Sequence, residues 1–303
     1  MKPKSITLLF LVFIILLIAA AYPLWIVVIR PSNPKKIMEI NLSIWTKDRT
    51  QKIIIHDATG EAVLSKDNPV WKTGNYLVGQ KSLDNFFLSL DKSQIDHLVS
   101  RNSSNHGAFE VTEEKGTILT MTDSTGEKTY LIGKIAASYG SFYIRVKSSD
   151  NVYLAKGDLK NTLSTAVSFW RDKTIVDISK EKISQIQVSG KENFSLSKNK
   201  EGKWQLESKG KTNDITDNVS SDIITRFNPL EADGFLATDE AKQYQNNSGT
   251  TSIKISEENN NPVELTLLSK DSDYWIEVKG REEKYKIYSY RLDSLLKLTD
   301  EGK

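Results

Sequence analysis

The chain has 303 residues, 41 Lys and Arg against 39 Asp and Glu, a net charge of +2 and no cysteine. The near-balance of charge argues against the broad basic field of a nucleic-acid binder. The missing cysteine excludes disulfides, thiolate metal sites, Cys nucleophiles and lipid attachment through Cys.

The first element is an apolar block: from Ile6 to Ile29 no side chain is charged, and Arg30 closes the run. As a helix it would rise about 36 Å, against a hydrocarbon core of about 30 Å. Pro23 should kink such a helix without breaking it, and Tyr22 and Trp25 suit a membrane interface. A cleaved signal peptide competes, with Lys2 and Lys4, the run Leu8–Ile18 and the small residues Ala19–Ala21 in the expected order. Cleavage there would leave the apolar "YPLWIVVI" as a new N-terminus, which favours an uncleaved single-pass anchor over residues 1–30. A short N-terminal tail usually stays inside, so residues 31–303 are expected outside the cytoplasm. The two prolines of "RPSNPKK" suggest a stiff spacer, and residues 31–50 serve as spacer and lead strand.

Beyond it the chain repeats. "IIIHDATGEAVLSKDNPVW" (53–71) aligns with "IQVSGKENFSLSKNKEGKW" (186–204) without a gap, so Ile53 meets Ile186 and Trp71 meets Trp204. "FYIRV" (142–146) meets "YWIEV" (274–278), and "LKNTL" (159–163) meets "LDSLL" (292–296), at nearly the same offset. Two copies of a unit of about 130 residues are implied, over 51–170 and 171–298, with 299–303 as a tail.

Within each unit, "FYIRV" and "YWIEV" alternate with period 2 and read as half-buried strands. "TILTMTD" and "GEKTYLIG" read as a hairpin turning at Ser124-Thr125-Gly126, matched by "TSIKIS" and "VELTLL". Leu83, Phe86, Phe87 and Leu90 fall at i, i+3, i+4 and i+7 of a helix with Ser82 as N-cap. Ile215, Val219, Ile223 and Phe227 recur every fourth residue in the second unit. Residues 92–116 and 228–250 read as connections, each with an extended piece or a short helix. The expected fold class is therefore α+β: a transmembrane helix, then two tandem repeats, each an antiparallel sheet with a packed helix.

"NPVW", "EGKW", "YLIGK" before "SFYIRV" and, above all, "FWRDKTIVDISKEKISQIQV" (169–188) together resemble the DUF4340 family, a bacterial domain of unknown function. The resemblance extends over about residues 51–298, although "LLSKDSDYW" in the second copy lacks the Gly of "LIGK". It implies a membrane-anchored accessory subunit of an ABC-type export system, including the gliding-motility kind, with permease and ATPase subunits as partners. It implies no catalytic or ligand-binding residue.

The residues themselves nominate no catalytic, cofactor or metal site. His56, His97 and His106 have no metal-ligand spacing and read as surface histidines. Ser138–Ser141 reads as a turn before a strand, with no nucleophile elbow. "GKT" at Gly210–Thr212 has Gln205 where a P-loop needs Gly. Acidic pairs at 113–114, 257–258 and 282–283 and the "DSD" at 271–273 read as solvated turns. Trp71 and Trp204 read as packing residues, and Tyr143 and Trp275 as a covered face rather than a partner surface. The expected function is a membrane-anchored extracytoplasmic accessory or binding protein. A stand-alone cell-envelope module for a polymer or peptide is the alternative, and an enzyme is not expected.

Overall fold

The computed structural model describes residues 39–67, 69–245, 250–257 and 260–296. Residues 42–303 form one compact unit, and of a separate unit, 1–41, only residues 39–41 are described.

The first half is a nine-stranded antiparallel sheet ordered β4-β3-β2-β1-β6-β7-β8-β9-β5. Its strands are β1 (Thr50–Asp57), β2 (Gly60–Asp67), β3 (Val70–Thr73), β4 (Tyr76–Leu77), β5 (Gln94–Ser100), β6 (Thr117–Asp123), β7 (Gly126–Ile135), β8 (Ser141–Val146) and β9 (Val152–Lys156). The period-2 pattern sets which side faces inward: Ile53 and Ile55 of β1, and Phe142 and Ile144 of β8, are all buried. Two tight turns share the sequence Asp-x-Thr-Gly. Asp57 Oδ1 accepts hydrogen bonds from the Thr59 backbone N–H at 2.8 Å and its hydroxyl at 2.6 Å. Asp123 Oδ1 does the same with Thr125, at 2.7 and 2.5 Å. These Asx-type bonds fix the β1–β2 and β6–β7 hairpins.

Helix α1 (Gln80–Lys92) carries the chain from the β4 edge to the opposite, β5 edge. It buries Leu83, Phe86, Phe87 and Leu90, and Phe86 meets Trp170 edge-on at 5.9 Å. The other face of this sheet is covered by the segment before β6, where Phe109 lies 4.6 Å from Tyr143 beside Val111, Leu131 and Val152.

The second half repeats the strand order, β14-β13-β12-β11-β17-β18-β19-β20-β16. Its strands are β10 (Thr174–Val176), β11 (Ile183–Ser189), β12 (Phe194–Lys198), β13 (Trp204–Ser208), β14 (Lys211–Asp214), β15 (Leu230–Glu231), β16 (Gly234–Phe235), β17 (Thr250–Glu257), β18 (Val263–Lys270), β19 (Asp273–Val278) and β20 (Lys284–Tyr288). β10 and β15 pair separately. This half has its own core, including Ile186, Leu196, Phe227, Ile253, Ile276 and Ile287.

The chain is thus mostly β, which corrects the expected α+β class with one packed helix per repeat. Apart from α1, the longest described helices have eight residues, Asp217–Ile224 and Thr238–Gln245. The segments read as connections supply β5, β15 and β16, while β4 and β14 extend the sheets at their edges. The apparent helix over Ile215–Phe227 is two turns of α-helix followed by a 3-10 turn, Thr225–Phe227.

The single-pass anchor, and the extracytoplasmic placement built on it, are not supported. Among the described residues no helix is long and apolar enough to cross a membrane. The apolar run 6–29, on which that expectation rests, lies outside the described residues.

Candidate functional site

The seam between the two halves, read from the sequence only as a boundary, borders a groove lined by residues of both. Trp170 closes a short helix, Val167–Trp170, and is fully buried with its indole N–H donating to the Ser164 carbonyl at 2.8 Å. The following residues then dock on the first sheet. Gly79 N–H donates to the Trp170 carbonyl at 2.7 Å, Asp172 N–H donates to the Leu77 carbonyl at 2.8 Å, and Val78 forms a β-bridge with Arg171. Gly79 suits this close approach, since a Cβ would sit 3.3 Å from the Arg171 carbonyl oxygen, tighter than ordinary contact.

Arg171 is held between aromatic rings from both halves. Its guanidinium carbon lies 3.7 Å from the Tyr76 centroid in β4 and 3.6 Å from the Phe235 centroid in β16. Planar guanidinium suits such stacking. Burial pulls its pKa down, opposed by the nearby Tyr76, Glu283 and Tyr285.

On one side of Arg171 lies a groove of about 1000 Å³ with walls from both halves. Val70, Leu77 and Phe169 present exposed apolar surface to it. Lys81 and Glu231 face each other across it at 3.9 Å. On the other side a recess of about 430 Å³ is lined by Tyr76, Arg281, Glu283 and Tyr285. The groove joins exposed apolar surface to charges of both signs, an arrangement that can hold a polypeptide segment with an apolar anchor.

The residues weighed from sequence lie elsewhere. His56 is the penultimate residue of β1, 3.9 Å from Glu61. His97 lies in β5, 3.2 Å from Asp96. His106 is not a surface residue as expected: it is buried, and its Nε2 donates to the Asp150 carbonyl at 3.1 Å. Gly210 turns between β13 and β14 at φ 73°, and Ser141 begins β8. Glu113 pairs with Lys147 at 2.9 Å. Among the described residues no three His, Asp or Glu side chains converge as a metal site. Trp71 and Trp204 are both buried, and Trp275 is buried beside Leu268 and Leu236.

Sequence reasoning missed Arg171, Phe169 and Leu77 as lining residues. The available signal was an arginine directly after two aromatic residues at the seam, "FWR".

No curated protein and no solved structure matches the chain. The family described as "Domain of unknown function (DUF4340)" matches over residues 71–248, a shorter span than the expected 51–298. That match starts at Trp71 in β3, crosses the seam and ends before β17, so it contains Arg171 and both rings that hold it. It covers more than half of the sequence, and the chain belongs to the DUF4340 family.

Proposed function

We propose that this chain is a binding protein, not an enzyme, and serves as an auxiliary component of an ABC-type transport system. Its working surface is the groove beside Arg171, which takes a segment of a permease or ATPase subunit. The observation that carries this reading is the apolar trio Val70, Leu77 and Phe169, left exposed in a groove built from both halves. Aromatic and apolar groups at the centre of a concave site, rimmed by charge, are the anatomy of a protein interface. Lys81 and Glu231 at the rim supply both signs of charge for orienting an incoming segment. The transport setting rests on the resemblance to DUF4340 proteins.

The test is a photo-crosslinking amino acid placed at Phe169 in cells that make the protein. A covalent product with a permease or ATPase subunit, lost when Leu77→Asp is added, supports the reading. Crosslinks only to a polymer or peptide give the stand-alone binding module instead.

A further inference from the structure

The second half leaves open a sheet edge that the first half covers. In the first half, Val78 N–H donates to the Trp71 carbonyl at 2.9 Å, and Gly79, extended, is the N-cap of α1. In the second half, Ile215 N–H donates to the Trp204 carbonyl at 3.1 Å, and Thr216, also extended, is the N-cap of the helix Asp217–Ile224. Val78 matches Ile215, and Gly79 matches Thr216.

The seam segment closes the first of these edges. Asp172 N–H donates to the Leu77 carbonyl, Val78 bridges Arg171, and Gly79 N–H donates to the Trp170 carbonyl. The Ser82 hydroxyl adds a bond to the Phe169 carbonyl at 3.2 Å, and Gly79 is buried. No described segment does the same in the second half. β14 pairs with β13 alone, and its four residues are all exposed, as is Thr216. Val219, at the place of Ser82, is 43% exposed.

The ladder sets which groups are free. Ile215 turns its N–H inward to Trp204, and bonding alternates along an antiparallel strand, so Thr212, Asp214 and Thr216 turn theirs outward. Among the described residues these three N–H groups have no acceptor. Lys211, Asn213 and Ile215 share one face of the strand. Ile215 is half-buried, and Lys211 makes no ion pair among the described residues.

We propose that the β14 edge takes an extended segment of a partner polypeptide, added antiparallel, with an apolar residue opposite Ile215 and a carboxylate four residues later opposite Lys211. Main-chain bonds give such strand addition its affinity, and facing side chains give it selectivity. A second copy of β14 is a poorer occupant. Pairing its outward N–H groups in phase sets Lys211 opposite Asn213, Ile215 or another Lys211. Asp214 lies on the other face, where it accepts from Gln205 Nε2 at 2.8 Å. Lysine on an open edge works against self-pairing. Thr216 carries a Cβ where Gly79 has none, so the incoming strand stands off by a few tenths of an ångström more than the seam segment does. The edge shares no residue with the groove beside Arg171.

The test is hydrogen–deuterium exchange of the full chain with acetyl-Thr-Leu-Thr-Val-Thr-Glu-Thr-amide, whose Leu and Glu have the required spacing, read at the Thr212 and Asp214 amides. In the chain alone both should exchange freely, and the peptide should slow them saturably, with Kd below about 1 mM. The same peptide with Lys for Glu should bind about twofold to fivefold more weakly, and Lys211→Glu should reverse that order. Thr216→Pro removes one outward donor at φ −70°, which proline adopts, and should weaken binding about threefold or more. Phe169→Asp should change nothing. Protection of the two amides in the chain alone, no saturable slowing, a peptide preference untouched by Lys211→Glu, or unchanged binding in Thr216→Pro overturns the proposal.

Discussion

The guanidinium of Arg171 lies 3.6 Å from the ring centroid of Phe235, with the ring of Tyr76 at 3.7 Å. Tyr76 belongs to the β4 edge of the first sheet and Phe235 to the β16 edge of the second, so one side chain ties the two halves together. Each such contact, partly desolvated, contributes about 0.5–2 kcal/mol. Arg171→Ala should therefore lower stability by about 1–3 kcal/mol, read as a fall in the urea midpoint. Arg171→Lys should recover only a minor part, because a compact ammonium cannot stack on two rings at once. Equal stability of the lysine variant and the parent would remove the stacking argument.

A second long-range pair lies within the first half. The Trp45 indole N–H donates to the hydroxyl of Tyr130 at 2.9 Å, and Tyr130 is fully buried. Tyr130→Phe should cost about 1–3 kcal/mol, because it deprives a buried donor of its acceptor. The double variant Trp45→Phe, Tyr130→Phe should recover part of that loss, since no orphaned donor remains. Denaturation of the two single variants and the double variant measures the coupling.

Which of these features can be read from sequence depends on how local their causes are. α1 is legible because Leu83, Phe86, Phe87 and Leu90 mark one face, and all four are buried. Its start is not: the N-cap is Gly79, and the Ser82 hydroxyl, expected to cap, instead donates to the Phe169 carbonyl far along the chain. The 6–7 hairpin and its turn are legible because Asp123 and Thr125 settle the turn between themselves. β5 is hidden because two register shifts against β9 break its alternation. β4, β15 and β16 have two residues each, too short to carry any period. Those omissions tilted the expected class toward α+β. His106 bonds to the Asp150 carbonyl, and Tyr76, Arg171 and Phe235 meet across the seam. Pairings of that range leave no trace in local patterning.

The two Asp-x-Thr-Gly turns should make the first half acid-sensitive. At Asp123 the Thr125 hydroxyl and N–H hold the carboxyl below its usual value, and Arg49 at 3.1 Å adds to this. At Asp57 burial pulls upward but is outweighed by the Thr59 hydroxyl and N–H. A carboxylate with a depressed folded pKa stabilises the fold above its unfolded value, near 3.9, and that stability is lost as pH falls through the folded pKa. Asp57→Asn with Asp123→Asn should therefore flatten the decline in Tm below about pH 4. Identical acid limbs for variant and parent would show that the turn carboxylates do not drive it.

The Tyr274–Asp293 pair predicts the opposite limb. Burial and donation to the Asp293 carboxylate push the Tyr274 pKa up to about 12 from 10.0, since ionising the phenol would set two negative charges side by side. A raised folded pKa means full stabilisation below the unfolded value, lost as pH climbs through the folded one. The window is therefore pH 10 to about 12. Tyr130 and Tyr285 are also raised, chiefly by burial, so total phenolate absorbance is not diagnostic. The difference in alkaline titration between the parent and Tyr274→Phe is: it should show one phenolate step near 12, and the variant should lose less stability over that window. A step near 10 would mean that the hydroxyl is solvated and the hydrogen bond to Asp293 is not made.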